Sequence, residues 1–170
     1  MNKTNNIKRA IFKYKALPTD RVFDLKEAQD ILLEALTYFQ KFCDENKIVI
    51  SLTYGSLLGA ARENNIIKWD DDIDLMVDHD NFIKLEKSLN GLDKYGLAAY
   101  SYKTAKNIYT NEIRIYKPGY YRVLENNGTN YLTPLCIDVF PLEKISTTDN
   151  NGISSENLKC LDKISKYKRR

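Results

Sequence analysis

Apolar residues recur at helical spacing from Ala28 through Ile31, Leu32, Ala35, Leu36, Phe39, Phe42 and Cys43, which is the stripe of one helix face. Asp24 followed by Glu27 is a capping-box pattern, so a helix is predicted from roughly residue 25 to 45. The β-branched stretch from Ile48 to Tyr54 reads as a strand that turns through Gly55. Ser56 opens a short helix to about Glu63, and Asn64-Asn65 breaks it. Ile73, Leu75 and Val77 then alternate with Asp72, Asp74 and Met76, the period of a strand with one apolar face. A helix from about Asp80 to Leu89 follows, with Phe82, Ile83, Leu85 and Leu89 on its buried side and Gly91 behind it. The Tyr-rich segments 97–104, 111–117 and 120–124, with Pro118-Gly119 as a turn, predict a meander or hairpin. Leu135 to Phe140 reads as a strand stopped by Pro141. A loop at Asp149-Asn150-Asn151-Gly152 precedes an amphipathic tail helix from about Ser155, with Leu158, Leu161 and Ile164 on one side. The pattern divides into a basic lead-in over 1–20, one domain over 21–150, and a basic C-terminal helix over 151–170.

Composition narrows the class. At 170 residues, with 43% hydrophobic and 29% charged residues, the chain has the size of one domain with a core and the balance of a globular protein. Disorder, a collagen-like fibre and a disulfide miniprotein are disfavoured. No apolar run reaches the length of a bilayer span and the N-terminus has no apolar signal region, so no membrane insertion or secretion is expected. The net charge of +3 from 26 basic and 23 acidic residues is too balanced for a nucleic-acid binder. Cys43, Cys136 and Cys160 show no C-x-x-C spacing, and His79 is the single histidine, so a His/Cys zinc site is excluded. The cysteines read as small buried hydrophobes in a reducing compartment, the cytoplasm. His79, at the start of a helix, reads as a cap or loop residue.

Charge is uneven along the chain, however, and the chemistry lies where it crowds. Asp70, Asp71, Asp72 and Asp74 fall within five positions. Asp72 and Asp74, at i and i+2 on a strand, share a face and can ligate one or two divalent cations together; hard oxygen ligands of this kind suit Mg²⁺ or Mn²⁺. The plain alternative is a solvated acidic face, but so many neighbouring carboxylates repel one another unless something neutralises them. Asp70 shares the parity of Asp72 and can join it, whereas Asp71 faces the other way if the strand is already regular there. Upstream, Gly55-Ser56 between a strand and a helix offers free backbone N–H groups and a hydroxyl to a phosphate, or is an ordinary cap. Downstream, Asp138 is an acidic position between Ile137 and Val139, either a structural carboxylate or, if its strand neighbours the first, a third member of the cluster. The tyrosines at 95, 100, 102, 109, 116, 120, 121 and 131 read as half-buried strand faces; their rings could also stack on a sugar or a choline.

The run from Tyr54 to Val77, YGSLLGAARENNIIKWDDDIDLMV, followed by IDVFPLE from Ile137, resembles the LicD family. The resemblance covers roughly residues 25 to 145. It implies an α+β, nucleotidyltransferase-like fold similar to the polymerase beta core, a mixed sheet flanked by helices. It implies transfer of phosphorylcholine or a similar phospho-alcohol from a cytidine-diphosphate donor to a sugar of a cell-surface glycan such as teichoic acid, capsule or lipopolysaccharide, at the inner face of the membrane. Carried over residue by residue, Gly55 and Ser56 would face the donor phosphates with Arg62 as the neutralising base. Asp72, Asp74 and Asp138, with Asp70 able to join, would be the catalytic metal ligands for Mg²⁺ or Mn²⁺. Trp69 would pack beneath the acidic turn. The chain departs from the family pattern at Lys68, where a proline is usual, and it stops at Arg170 where family members commonly run on to complete the substrate pocket. Two other readings stay open: a nucleotidyltransferase that uses a nucleoside triphosphate on a small molecule or protein, and an incomplete, non-catalytic paralogue.

Overall fold

Asp24 and Glu27 make the predicted capping box: Asp24 Oδ1 accepts from the Glu27 N–H at 2.8 Å and Glu27 Oε2 from the Asp24 N–H at 3.2 Å. They open α1, Leu25–Glu45, in a computed structural model that describes residues 12–13, 21–101, 103–105 and 111–142. The elements in chain order are β1 (Phe12–Lys13), α1, β2 (Ser51–Leu52), α2 (Tyr54–Glu63), β3 (Ile73–Asp78), α3 (His79–Ser88), a 3₁₀ turn over Leu89–Tyr95, β4 (Ala98–Ser101), β5 (Ile113–Asn126) and β6 (Thr129–Leu142). The 149–152 loop, the tail helix and Cys160 lie outside the described residues.

The sheet runs β2-β3-β6-β5-β4, with β1 pairing β6. β3 and β6 are parallel and the other pairs antiparallel, so the chain is α+β with a mixed sheet flanked by helices. Alternation decides which side chains enter the core. Ile73, Leu75 and Val77 of β3, Ile113 and Ile115 of β5, and Ile137 and Val139 of β6 are buried together with Leu32, Ala35, Phe39 and Phe42 of α1 and Phe82 and Leu85 of α3. The helices therefore cover one face. Asp74, Arg114 and Asp138, at the intervening positions, belong to the other.

Five elements differ from the sequence reading. β2 is a short edge piece within the expected 48–54 strand, because the Val49 N–H bonds to the Asn81 side chain at 3.2 Å rather than to a strand. α2 begins at Tyr54, two residues ahead of Ser56. α3 begins at His79 because Asp78 is its cap, taking the Asn81 N–H at 2.8 Å; His79 is thus a first-turn residue. Pro118-Gly119 is not the hairpin turn. It forms a bulge inside β5, where the register shifts between Tyr116 and Tyr121 and Gly119 takes φ 99°. The turn is Asn127-Gly128, with φ 49° and 71°, the positive pair that a two-residue hairpin favours. β6 consequently starts at Thr129, and it continues through Pro141, which pairs with Val77.

Candidate active site

The parallel pairing of β3 with β6 sets Asp74 opposite Asp138 in register. Adjacent strands lie about 4.8 Å apart and in-register partners share a face, so two carboxylates stand side by side above a sheet whose underside is hydrocarbon. Asp72, just ahead of β3, joins them. Its carboxyl is pushed up to about 6 by desolvation first, then by the charges of Asp74, Asp70, Asp71 and Asp138. Asp74 is pushed up to about 6 as well, by desolvation and then by Asp138 and Asp70. This mutual perturbation places Asp72, Asp74, Asp138 and Asp70 in one electrostatic cluster.

The ascending loop carries a second grouping. One carboxylate oxygen each from Asp70, Asp71 and Asp72 lies within 4.8 Å of the others. Asp71 stays with the cluster, because regular strand, the condition for its facing the other way, begins only at Ile73. Its Oδ2 accepts from Arg122 Nη1 at 2.9 Å. The loop is pinned from behind by Gln29, a buried α1 side chain whose Nε2 donates to the carbonyls of Ile67 at 3.0 Å and Asp70 at 2.9 Å. Trp69 is not packed beneath this loop. It is 74% exposed, whereas Gln29 and Ile67 are buried.

α2 is locked to the strand through Ser56. This side chain is buried, and its Oγ accepts from the Asp74 N–H at 2.8 Å. A Cβ added to Gly55 would come within 2.7 Å of Asp70 Oδ2, so a side chain here would push the Asp70 carboxylate aside. The first intrahelical bond runs from the Leu57 N–H to the Thr53 carbonyl, and Thr53 provides no side-chain cap; the N–H groups of Tyr54, Gly55 and Ser56 precede that ladder at the helix's positive end. Arg62 sits at the other end of α2, more than half exposed, and pairs with Glu63 at 3.8 Å.

The guanidinium groups that do reach the carboxylates were not singled out from the sequence. Arg114 Nε lies 3.2 Å from Asp138 Oδ1, and Arg122 pairs with Asp71. Both sit in the Tyr-rich region, where no spacing marks them; knowledge of the β5–β6 register, which sets Arg114 opposite Asp138, would have been needed. Cys136 reads as a small hydrophobe and is buried, yet its thiol also donates to Asp138 Oδ1 at 3.2 Å, and burial pushes its pKa well up. Cys43 is a plain core thiol pushed up to about 12 by burial. Beside Asp71 and Arg122 a cavity of about 780 Å³ opens, lined in part by Phe23, Asp24, Tyr120 and Tyr121.

Hard oxygen donors converging without enough positive charge to neutralise them are of the kind that suits a divalent cation; among the described residues the carboxylates whose oxygens gather within 4.8 Å are Asp70, Asp71 and Asp72, with Asp74 and Asp138 in register beside them. Among the described residues no helix is long and apolar enough to cross a membrane.

The chain is similar to known proteins over part of its length. The lipopolysaccharide cholinephosphotransferase LicD of Haemophilus influenzae is 43% identical over 58 residues, 34% of this chain and 22% of that protein. Protein RP689 of Rickettsia prowazekii, described as uncharacterized, is 35% identical over 81 residues, 44% of this chain and 30% of that protein. The matched stretches thus span less than a third of either relative. The family described as LicD/FKTN/FKRP, nucleotidyltransferase domain, matches residues 47–161, which takes in α2, the acidic loop, β3 and the whole of β6. With more than half of its length inside that match, the chain belongs to the LicD family.

Proposed function

We propose that the chain is a divalent-cation-dependent transferase domain of nucleotidyltransferase type, which moves phosphorylcholine or a similar phospho-alcohol from a cytidine-diphosphate donor to a sugar hydroxyl of a cell-surface glycan at the cytoplasmic side of the membrane. The observation that carries the reading is the in-register pairing of Asp74 with Asp138 on parallel strands, with Asp72 joining them and Ser56 tied to the Asp74 backbone. The named activity of the Haemophilus relative supports the substrate class.

Asp72, Asp74 and Asp138 would hold Mg²⁺ or Mn²⁺, with Asp70 able to join. The bound ion supplies Lewis-acid stabilisation of the transferred phosphate and lowers the pKa of the acceptor hydroxyl. The chain's own part is placement and charge. The N–H groups at the start of α2 would face the donor phosphates, with glycine at 55 leaving room for Asp70; Arg62, at the other end of the helix, has only the family resemblance in its favour. Asp138 would either ligate the ion or accept the proton that leaves the acceptor hydroxyl. The cavity beside Arg122 and Tyr121 offers rings and polar groups to the organic part of a substrate.

Calorimetric titration with cytidine-diphosphate choline tests the reading. Binding should require Mg²⁺ or Mn²⁺ and be lost in Asp72→Asn. Binding that ignores both metal and substitution would refute it. The family's description as a nucleotidyltransferase domain favours a second reading, in which cytidine triphosphate is the donor; release of pyrophosphate instead of cytidine monophosphate would select it.

A further inference from the structure

The sheet face that carries the acidic cluster continues beyond it as a row of polar side chains. Tyr100 of β4 is the register partner of Arg114 of β5, Arg114 of Asp138 of β6, and Asp138 of Asp74 of β3. In-register neighbours share a face, so a tyrosine, an arginine and two aspartates stand in sequence across four strands.

Arg114 is held within this row from more than one side. Its Nη2 pairs with Glu112 Oε1 at 2.8 Å, and its Nε lies 3.2 Å from Asp138 Oδ1, within ion-pair reach although that buried N–H makes no hydrogen bond among the described residues. Glu112 is 4% exposed and Tyr100 1% exposed. A carboxylate buried to that degree is tolerated only with a strong partner, and here the partner is the guanidinium that also reaches Asp138. The Cys136 thiol donates to the same oxygen, Asp138 Oδ1, at 3.2 Å. Among the described residues both contacts therefore engage Oδ1, and Oδ2 is left for a ligand or a proton.

We infer that Arg114 is a positioning residue for Asp138: its fork, anchored on Glu112, fixes the carboxylate with one oxygen engaged and the other available beside Asp74. The inference rests on the divalent-cation reading of the cluster. A planar fork is needed because two carboxylates must be held at once, and a lysine ammonium is a single point on a flexible stem.

The sign of one measurement separates positioning from simple charge balance. If Arg114 were only a counter-charge, its removal would strengthen the attraction of the cluster for a cation. If it positions Asp138, removal weakens cation binding despite the lost positive charge. Mn²⁺ alone, titrated into the full chain and followed by electron paramagnetic resonance, gives the dissociation constant for wild type, Arg114→Gln, Arg114→Lys, Asp138→Asn and the Arg114→Lys/Asp138→Asn pair. Arg114→Gln should weaken binding about 10-fold, the lower end of what loss of a ligand's supporting partner causes. Arg114→Lys, which keeps the charge, should also weaken it, and should add nothing in the Asp138→Asn background. Unchanged or tighter binding in either Arg114 variant overturns the inference; if Arg114→Gln does not fold, Arg114→Lys decides alone. Failure of the wild type to bind Mn²⁺ would instead remove the divalent-cation reading, and the inference with it.

Discussion

Asp72 and Asp74 set the pH behaviour of the empty site. Both are raised from 3.8 to about 6 in the folded chain, so the folded state binds protons more tightly than the unfolded state between those values. Stability from these groups is therefore greatest below the unfolded value and falls as the pH rises through about 6. Melting curves from pH 4 to 8 should show that fall in the metal-free wild type, and Asp72→Asn should reduce it while raising the melting temperature at pH 8 by about 2–4 °C. Mg²⁺ should stabilise the wild type and leave Asp72→Asn nearly unmoved; an equal metal shift in both would exclude Asp72 as a ligand. The glycines of α2 give a paired test. A Cβ at Gly59 would lie 2.6 Å from the Asn65 carbonyl oxygen, which is backbone, whereas at Gly55 it meets the Asp70 side chain. Gly59→Ala should lose about 1–3 kcal/mol in urea unfolding through overpacking, while Gly55→Ala should keep most of its stability and lose cation affinity. The aspartates stood out because four carboxylates within five positions repel one another, whereas an isolated i, i+2 pair is more often a solvated face. For Asp71 the condition attached to the parity rule is not met, since parity holds only inside a strand and β3 begins two residues later.

Among the elements, α1 does more than cover the sheet. Its apolar stripe was readable from period alone, and Ala28, Leu32, Ala35, Phe39, Phe42 and Cys43 are all buried as the spacing required. Gln29, polar and next to that stripe, gave no signal, because its role depends on carbonyls 38 and 41 residues away. Gln29→Leu should leave both carbonyls without that donor, lowering stability by about 1–3 kcal/mol and loosening the loop that presents Asp70 and Asp71. Chemical unfolding and Mn²⁺ titration of the same variant check the two effects together. The β5–β6 hairpin was the least legible part. Pro118-Gly119 and Asn127-Gly128 are both turn signals in a Tyr-rich stretch, and only the ladder decides that the first is a bulge and the second the turn. That choice fixes the register, and the register brings Arg114 to Asp138.

For the whole molecule, the sheet separates two tasks: one face packs α1 and α3 into a core, and the other holds charge. The parallel neighbours β3 and β6 are far apart in sequence, so Asp72, Asp74 and Asp138 meet only once the fold is complete. The LicD pattern anticipated that meeting; composition and period alone left Asp138 an acidic position between apolar neighbours. The central claim is that this cluster serves cation-dependent chemistry on a cytidine-diphosphate alcohol. Its most direct test is ³¹P NMR of cytidine-diphosphate choline incubated with Mg²⁺ and a glycan acceptor, comparing wild type with Asp74→Asn. The account predicts that the diphosphate resonances give way to cytidine monophosphate with the wild type alone, and only when Mg²⁺ is present. A donor left intact by the wild type, or consumed equally by Asp74→Asn or without Mg²⁺, would contradict it.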